Sequence, residues 1–488
     1  MKKILLTHSY FLQLDPKQLT IGLPYAPLAT LYAASVLRNH QYDIHFFDTM
    51  FCRKPDMIEA ELIKYNPDIF IIYDDGFNYL TKMCLSNMRE AAFEMIELAK
   101  QKGSTVIISS SDSTDHYDVY LNKGVDFVLM GEGEISLLEL MEAITNEKDD
   151  FSHVQGIVFK QKNTLIKTAR RDLIQVLDEL PFPAWDMIDM NPYRQSWMKN
   201  AGYFSINMAT TRGCPFKCNW CAKPIYGNRY HSRSPENVVQ EIKMLKEKFN
   251  FNHIWFCDDI FGLKPYWVNS FANLIQRESL VFTFKIQSRA DLLVQENYVQ
   301  ALFLAGCNNV WMGAESGSQK ILNAMDKGIT VEQISEAVRL LKKNDIKASF
   351  FIQFGYLDET KEDIQLTVKM INTLLPHEIG ISVSYPLPGT IFFEKVKQQL
   401  QTKTNWTDSD EMALLFRNTY QPAFYKQLHI YVHKSYRKHL AMAHFKNLIT
   451  HPFRQNYCTV KKALSLVYYI PIAFIEKVKL KQLENLTV

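Results

Sequence analysis

Short apolar runs alternate with segments of helical periodicity along roughly the first 145 residues. Strand-like runs cover residues 4–7, 42–47, 68–73, 105–109 and 126–130; helical spacing marks residues 27–39, 57–65 and a long stretch ending near 102. The continuously apolar run at 68–73 is typical of a strand buried on both faces. This alternation predicts an α/β fold, a doubly wound Rossmann-like parallel sheet that binds ligands at the carboxyl ends of its strands.

A second β/α alternation begins near residue 201. Apolar strands are predicted at residues 203–208, 253–257, 282–287, 309–313, 348–353 and 379–384, and each is followed by polar or glycine residues. Ser234 and Pro235 provide an N-cap and a first-turn proline for one of the intervening helices. Six such strands predict an open, partial (β/α)6 barrel of the TIM type, with a site at the carboxyl ends of its strands.

The remaining segments connect or cover these two modules. Residues 147–200 contain a predicted hairpin around Lys162 and Asn163, followed by an extended strap at Pro181 and Pro183. From residue 399 the chain becomes helical and basic, with five histidines that suit a solvated helix face better than a metal site. We expect this extension to form a lid, with a membrane-surface contact as the alternative. The predicted domains are therefore 1–146, 147–200, 201–398 and 399–488.

The composition is that of a soluble globular protein of two or three domains, with 488 residues, 47% apolar and 22% charged. A net charge of +3 argues against nucleic acid as the main partner. Apart from one cluster, the cysteines are scattered singly, as in reduced cytosolic proteins. The apolar start at residues 4–6 is too short for a signal peptide, and Pro471 interrupts the longest apolar stretch, residues 463–474. These features predict a cytoplasmic protein.

The cysteine cluster consists of Cys214, Cys218 and Cys221, spaced C-x3-C-x2-C just after the first strand of the second module. Three thiolates on one loop form a soft-metal site, and a tetrahedral metal with three protein ligands keeps one position open. The alternative is a structural zinc site in a non-catalytic scaffold, completed by His231 or Cys257. Structural zinc motifs usually contain two C-x2-C knuckles, whereas this loop has a single C-x3-C-x2-C cluster.

The cysteine spacing, with the aromatic Trp220 before the last cysteine, resembles the loop of the radical S-adenosylmethionine (radical SAM) enzymes. The resemblance implies that Cys214, Cys218 and Cys221 hold a [4Fe–4S] cluster whose fourth iron binds S-adenosylmethionine. An electron donor such as flavodoxin or ferredoxin and a 5′-deoxyadenosyl radical are implied with it.

S-adenosylmethionine has an amino group, which a protein carboxylate would bind, and a carboxylate, which a protein cation would bind. Both protein groups are expected at the carboxyl ends of the strands. Glu315 and Arg289 are the predicted pair, with a structural ion pair between them as the alternative. Asp258, after the 253–257 strand, is a predicted cofactor contact or a helix cap. The resemblance assigns further cofactor contacts to the fourth-strand and fifth-strand motifs and to the aromatic of the loop: Gly313, Glu315, Ser316, Gly355 and Trp220.

The N-terminal module resembles the cobalamin-binding domain that precedes many radical SAM enzymes, most closely at residues 23–29 and 125–134. The resemblance implies a cobalamin site at two turns, formed by Ser109, Ser110, Ser111, Gly131, Glu132 and Gly133. The family's glycine-rich turn is replaced by serines at 109–111, and a D-x-H-x-x-G motif and a G-x-G-x-x-G fingerprint are both missing.

The resulting hypothesis is a radical SAM methyltransferase that uses cobalamin to methylate an unactivated carbon of a small-molecule or lipid-like substrate. The first alternative is an oxidative cyclisation or rearrangement without methyl transfer. The second is the zinc-bound scaffold. No pattern in residues 399–488 identifies the substrate.

Overall fold

A computed structural model describes residues 2–223, 225–451 and 457–484. The chain packs as two compact units, each assembled from several stretches of sequence. The first unit comprises Met1–Pro215, Ala222–Ile286 and Asn405–Glu411, and the second comprises Phe216–Cys221, Gln287–Thr404 and Met412–Val488.

The first unit contains the predicted Rossmann-like sheet. Its strands are β1 (Ile4–Thr7), β2 (Ile44–Phe47), β3 (Ile69–Tyr73), β4 (Thr105–Ser109), β5 (Phe127–Leu129), β6 (Ile157–Gln161) and β7 (Thr164–Lys167). The spatial order is β2-β1-β3-β4-β5-β6-β7, with β1 to β5 parallel and β6 and β7 antiparallel. The helices are α1 (Pro16–Ile21), α2 (Leu28–Asn39), α3 (Ile58–Tyr65), α4 (Tyr79–Lys82), α5 (Ser86–Gln101), α6 (Ser111–Asp115), α7 (Tyr117–Asn122) and α8 (Glu134–Thr145).

Burial explains why this sheet forms. Every residue of β1, β3 and β5 is buried, as expected for strands covered on both faces. The predicted hairpin turns at Lys162 and Asn163, whose φ angles of 47° and 64° suit a type I′ turn. Its first strand pairs with β5, Val158 opposite Val128, so the hairpin extends the N-terminal sheet.

The second sheet has the six parallel strands that the sequence predicts. They are β8 (Ser205–Met208), β11 (His253–Phe256), β12 (Thr283–Ser288), β13 (Cys307–Glu315), β14 (Lys347–Phe354) and β15 (Ile379–Val383), in the order β15-β14-β13-β12-β11-β8. A two-stranded ribbon, β9 (Thr211–Arg212) with β10 (His231–Ser232), lies in the first unit.

Helices connect these strands along the chain. They are α9 (Asn191–Ala201), α10 (Pro235–Phe249), α11 (Trp267–Arg277), α12 (Ala290–Leu293), α13 (Glu296–Leu304), α14 (Gln319–Ala324), α15 (Val331–Lys343), α16 (Lys361–Leu374) and α17 (Ile391–Val396). As predicted, α10 begins at Pro235, and its N-cap Ser234 accepts the Asn237 N–H. Single 3-10 turns occur at Leu12–Leu14, Pro55–Met57, Leu177–Glu179 and Lys397–Gln399.

The described part of the C-terminal extension contains the helices α18 (Pro422–Thr450), α19 (Tyr457–Leu464) and α20 (Leu466–Glu484), all in the second unit. Within the described residues, no helix combines the length and apolar character needed to cross a bilayer.

Candidate active site

The three clustered cysteines lie on the loop that follows β9. Gly213 opens the loop with a φ of 78°, and a Cβ there would lie 2.4 Å from the Arg229 carbonyl oxygen, so the position requires glycine. Cys214 is buried, Cys218 and Cys221 are partly exposed, and all three are reduced thiols. No three His, Cys, Asp or Glu side chains among the described residues already converge as a metal site. The features of this loop that suit a metal cluster are its three thiol donors and the charged side chains near it.

One buried carboxylate holds the segment that enters the loop. Asp258, which follows β11, accepts the N–H and hydroxyl of Thr210 at 2.7 Å each, and those of Thr211 at 2.7 and 2.9 Å. Burial raises the pKa of Asp258 to about 6, against the effect of these hydrogen bonds. Asp258, predicted as a cofactor contact or a helix cap, thus uses both oxygens to position residues 210 and 211.

Asn219 anchors the middle of the cysteine loop within the second unit. Its backbone N–H donates to Met325 O at 3.1 Å, and its Nδ2 donates to Ala324 O at 2.7 Å and to Asp326 Oδ2 at 2.8 Å. Its Oδ1 accepts the hydroxyl of Tyr356 at 2.7 Å. The turn after α14 is therefore fixed against the loop, and the next residue in that turn is Lys327.

Two buried cations lie beside the loop. The Arg289 guanidinium is 3.6 Å from the centre of the Phe216 ring, and its Nη1 is 4.0 Å from Cys218 Sγ. Lys327 Nζ lies 5.9 Å from the centre of the Trp220 ring, and Arg289 Nη2 donates to the Lys327 carbonyl at 2.9 Å. Positive charge at this position favours an anionic ligand beside Cys218.

Glu315 completes the charged group and pairs with Lys327. Its Oε1 lies 2.8 Å from Lys327 Nζ, whereas Arg289 pairs with Asp291 at 3.0 Å, so the alternative pairing of Arg289 with Glu315 is wrong. Glu315 has a φ of 57°, and the pairing of β13 with β14 shifts register between Gly313 and Glu315. This bulge turns the carboxylate toward Lys327.

Gly313 permits this close arrangement. A Cβ at Gly313 would lie 2.6 Å from Lys327 Nζ and 2.8 Å from Glu315 Oε1, so any side chain would displace both charged ends. Ser316, in contrast, faces α16: its hydroxyl is 3.0 Å from Thr367 Oγ1. The structure therefore brings Gly313 and Glu315 together and assigns Ser316 to packing of the turn.

Gly355 is surrounded by the C-terminal extension. It has a φ of 74°, and a Cβ there would lie 3.1 Å from Leu414 and 3.2 Å from Tyr425. Its N–H donates to Glu359 Oε2 at 2.7 Å, and its carbonyl accepts from Asn418 Nδ2 at 2.7 Å. Leu414, Asn418 and Tyr425 of the C-terminal extension therefore cover Gly355 at the end of β14.

Two polar atoms of this region are buried without a hydrogen-bond partner among the described residues, Trp220 Nε1 and Ser288 Oγ. Ser288 ends β12 and immediately precedes Arg289. A buried donor without a hydrogen-bond partner destabilises the folded protein. Such atoms therefore mark positions where a bound ligand would supply the missing hydrogen bond.

Residues 208–371, which contain the cysteine loop and this charged group, match the sequence model of the radical SAM superfamily. The match covers about a third of the chain and identifies a radical SAM domain within it. This domain indicates an enzyme, and the cofactors of the superfamily are a [4Fe–4S] cluster and S-adenosylmethionine. The residues present fit both cofactors, since three reduced thiols form the donor set, and within the second unit a carboxylate, two cations and two unsatisfied polar atoms lie near Cys218 and Trp220.

Two curated relatives illustrate the reactions found among similar sequences. The uncharacterized methyltransferase PH0819 of Pyrococcus horikoshii is 28% identical over 393 residues, covering 79% of this chain and 82% of the relative. The anaerobic magnesium-protoporphyrin IX monomethyl ester cyclase of Synechocystis is 28% identical over 312 residues, covering 63% of this chain and 61% of the cyclase.

Two solved structures share the fold. The cobalamin-dependent S-adenosylmethionine radical enzyme OxsB matches with a TM-score of 0.73 at 16% identity, covering 98% of this chain and 72% of OxsB. The radical S-adenosylmethionine methyltransferase TsrM of Kitasatospora setae matches with a TM-score of 0.69 at 18% identity, covering 82% of this chain and 76% of TsrM. These similarities confirm the predicted fold class, an N-terminal α/β sheet followed by a partial barrel.

The serines predicted to bind cobalamin instead begin a helix of the first unit. Ser109 ends β4, Ser110 is the N-cap of α6, and Ser111 is the first residue of α6. The Ser110 hydroxyl accepts the Ser113 N–H at 2.8 Å, and the Ser110 N–H donates to Ser113 Oγ at 3.0 Å. This reciprocal capping uses polar groups that a nucleotide tail would need.

The polar side chains at the turn after β5, like those at the serine turn, already have partners within the protein. Glu132 and Glu134 both pair with Arg212, at 2.5 and 2.8 Å, and all three side chains are buried. Gly131 has a φ of 74°, and a Cβ at Gly133 would lie 3.0 Å from Ser109 Oγ. The predicted residues Gly131, Glu132 and Gly133 therefore lie together with Ser109 at one edge of the sheet.

Residues after the cysteine loop close this edge. A Cβ at Gly76 or at Gly131 would lie 3.4 Å from Ile225, and the Tyr226 ring stacks on Phe77 with centres 5.4 Å apart. A cavity of only about 10 Å³ is lined by Tyr32, Phe77, Leu177, Leu180, Ala209, Thr211, Arg212 and Arg233. Ile225 and Tyr226 therefore lie against this edge of the sheet.

Sequence reasoning missed four residues of these sites: Asn219, Lys327, Arg212 and Tyr226. Their importance arises from partners distant in sequence, such as residue 315 for Lys327 and residue 132 for Arg212. The local signal nearest to Lys327 is the turn Asp326-Lys327-Gly328, where Asp326 and Gly328 have φ angles of 52° and 67°. A turn predicts a change of direction but not the charge that it presents.

Proposed function

We propose that this radical SAM enzyme methylates an unactivated carbon of a small-molecule or lipid-like substrate. The radical step is supported by one observation above all: Lys327, Glu315 and Arg289 gather beside Cys218. Methyl transfer is supported by the methyltransferase relative and by the N-terminal sheet, which has the fold found in OxsB and TsrM.

In this proposal Cys214, Cys218 and Cys221 hold the [4Fe–4S] cluster. With an electron from a flavodoxin-type or ferredoxin-type donor, the cluster and S-adenosylmethionine supply a 5′-deoxyadenosyl radical. Arg289 and Lys327 balance the negative charge of the thiolates and of the cofactor's carboxylate. Glu315 receives the cofactor's ammonium group.

The remaining contacts come from atoms that need a partner or lie close to the loop. Trp220 Nε1 and Ser288 Oγ donate to the bound cofactor, because each is buried without a partner among the described residues. Gly355, covered by Leu414 and Tyr425, limits the space at the end of β14.

The proposed methyl carrier is cobalamin, bound at the edge formed by residues 109–111 and 131–133. Because Ile225 and Tyr226 lie against this edge, binding requires them to withdraw.

The radical step is tested by anaerobic reconstitution with iron and sulfide, followed by measurement of 5′-deoxyadenosine formed from S-adenosylmethionine under reductant. We expect cleavage by the reconstituted protein and by a Cys52→Ala control. Cys214→Ala, Cys218→Ala and Cys221→Ala should each abolish it. Cleavage that survives in any of these three variants, or is absent from fully loaded wild-type protein, overturns the assignment.

The cobalamin step is tested by titrating hydroxocobalamin and following the corrinoid spectrum. Tyr226→Ala should bind more tightly than wild type, because it removes the ring that stacks on Phe77. Tyr266→Ala is a matched control, since that side chain is 80% exposed. If neither wild type nor Tyr226→Ala binds corrinoid at micromolar concentration, the methyl carrier is not cobalamin.

A second candidate function is oxidative cyclisation, favoured by the cyclase relative and by the packing of Ile225 and Tyr226 on the edge proposed for cobalamin. The two reactions leave different products of S-adenosylmethionine. Both reactions release 5′-deoxyadenosine and methionine, and only methyl transfer also releases S-adenosylhomocysteine. Chromatography of the spent reaction mixture distinguishes them.

A further inference from the structure

Helices α18 and α20 form an antiparallel pair in the second unit. Gln427 Nε2 donates to Glu476 Oε2 at 2.6 Å, and Arg437 Nη1 donates to the Tyr469 hydroxyl at 3.3 Å. As residue numbers rise along α18, those of its partners on α20 fall. The end of α18, the whole of α19 and the start of α20 therefore lie at the same end of the pair.

Large apolar side chains are exposed at this end. On α20, Val467 is 80% exposed, Ile470 52% and Phe474 68%, and the spacing of three and four residues places them on one face. The end of α18 repeats the pattern with exposed residues at the same spacing, and Leu464 of α19 is also exposed. We name this surface the apolar tip: Met442, Phe445, Ile449, Leu464, Val467, Ile470 and Phe474.

Helix α20 has apolar residues on its outward face as well as on its inward face. Its inward face carries Ala473, Glu476 and Leu480, all buried. Glu476 is the first carboxylate after residue 411, and Gln427 and Lys479 bind it on the inward side. The outward face presents the apolar residues of the tip to solvent. Soluble proteins rarely leave such a stripe uncovered, so the tip has an occupant.

The charge around the tip identifies the kind of occupant. Residues 412–475 contain nine Lys and Arg and no Asp or Glu, in a chain whose net charge is only +3. Lys446, Lys461 and Lys462 are exposed close to the tip. Tyr468, 55% exposed, adds a ring with a polar end. Apolar residues bordered by lysines and tyrosine are the features of helices that lie in the headgroup layer of a membrane.

We infer that the apolar tip docks this enzyme on an anionic membrane surface. Val467, Ile470 and Phe474 insert among the lipid headgroups, and Lys446, Lys461 and Lys462 bind the lipid phosphates. The inserted stripe runs along the axis of α20, so the helix lies in the plane of the surface. Salt weakens the attraction between these lysines and an anionic surface.

Vesicle flotation with the purified full-length protein tests this inference. We expect the protein to float with vesicles of phosphatidylcholine and phosphatidylglycerol, to bind much less to phosphatidylcholine alone, and to dissociate as salt is raised. Val467→Glu with Phe474→Glu should lower binding about tenfold or more. Lys461→Gln with Lys462→Gln should lower binding only to the anionic vesicles.

The matched control is Phe303→Glu, because Phe303 is 48% exposed on α13, outside the tip. It should bind vesicles like the wild type, and all variants should keep the wild-type circular dichroism spectrum. Failure of the wild type to bind either vesicle overturns the inference, as does an equal loss in the control. A wild-type dimer that becomes monomeric on Phe474→Glu, measured by light scattering, would instead assign the tip to contact between two copies of the chain.

Discussion

Glu315 adopts a backbone conformation that is unfavourable for any residue except glycine, with a φ of 57°. Such a residue costs about 1–3 kcal/mol and persists only where its surroundings hold it. Here the register shift beside Gly313 and the bond to Lys327 hold it. Burial would lower the pKa of Lys327, but the negative charges of Glu315 and Cys218 raise it above its ordinary value. Lys327 therefore keeps its positive charge beside Glu315.

Replacing Lys327 should weaken cofactor binding. Lys327→Met removes a buried charge-assisted bond of about 1.5–3 kcal/mol, so we expect the Kd for S-adenosylmethionine to rise about tenfold or more. The measurement is the change that the cofactor causes in the electron paramagnetic resonance spectrum of the reduced cluster. Lys343→Met, at an exposed position, is the control.

Because Lys327→Met leaves Glu315 unpaired, folding must be checked separately. The double variant Lys327→Met with Glu315→Gln removes both charges and should keep the cluster while binding the cofactor weakly. Wild-type affinity in the double variant would contradict the role of this pair.

Glu359 predicts a pH dependence of stability. Burial raises its pKa to about 8 from an ordinary value of 4.5, while the bond from the Gly355 N–H opposes the shift. The folded state therefore holds a proton that the unfolded state releases, so this group's contribution is complete below pH 4.5 and is lost as pH rises to about 8. Between these limits the loss is about 1.4 kcal/mol for each pH unit.

Glu359→Gln should remove this dependence. We expect the free energy of unfolding of the cluster-free wild type, relative to Glu359→Gln, to fall by about 2 kcal/mol between pH 6 and pH 8. Urea denaturation at both pH values measures it. A difference between the two proteins that is constant with pH would show that Glu359 is ionised throughout.

At the scale of elements, Arg212 connects the β9–β10 ribbon to the turn after β5 and to α8. Burial disfavours its charge, but Glu134, Glu132 and nearby Tyr226 raise its pKa well above the ordinary value. The guanidinium also lies 5.3–5.6 Å from the ring centres of Tyr32, Phe77 and Tyr226. Arg212 and its partners therefore hold the ribbon, the turn after β5 and α8 together within the first unit.

Arg212→Met should destabilise the first unit by about 3–5 kcal/mol, because two buried carboxylates lose their partner. Denaturant titration of the cluster-free protein measures the change. Arg339→Met is the control, since Arg339 forms only an exposed pair with Glu336 and should leave stability unchanged. If Arg212→Met loses no more stability than the control, Glu132 and Glu134 take up protons in the variant at no cost in stability.

The strands could be predicted from sequence because burial on both faces leaves a continuous apolar run. The prediction of 105–109 coincides with β4, and that of 4–7 coincides with β1. The hairpin at Lys162 was predictable from its turn, but its pairing with β5 was not, since the edge of a sheet is a tertiary property. The same limit applies to Lys327, whose partner Glu315 is set by a bulge that leaves no pattern in the sequence.

At the scale of the whole molecule, the first unit is completed by a segment from the far end of the sequence. Residues 405–411 pack on it although the rest of the C-terminal extension belongs to the second unit. The Ser86 N–H donates to Trp406 O at 2.8 Å, and Asn405 Nδ2 donates to Cys84 O at 2.7 Å. The Ser409 hydroxyl donates to Asp15 Oδ1 at 2.7 Å. The first unit therefore cannot be cut out of the chain at residue 286.

Trp406 is the apolar anchor of this returning segment, since it is only 3% exposed. Trp406→Ala should therefore lower the stability of the first unit by about 3–5 kcal/mol. It should also uncover Cys84, a thiol that is buried in the native protein and whose pKa burial raises well above its usual range. Alkylation with iodoacetamide, followed by peptide mass spectrometry, measures that exposure. We expect Cys84 to react faster in Trp406→Ala than in wild type or in Asp410→Ala, whose side chain is 73% exposed. Unchanged protection of Cys84 would mean that the unit closes without residues 405–411.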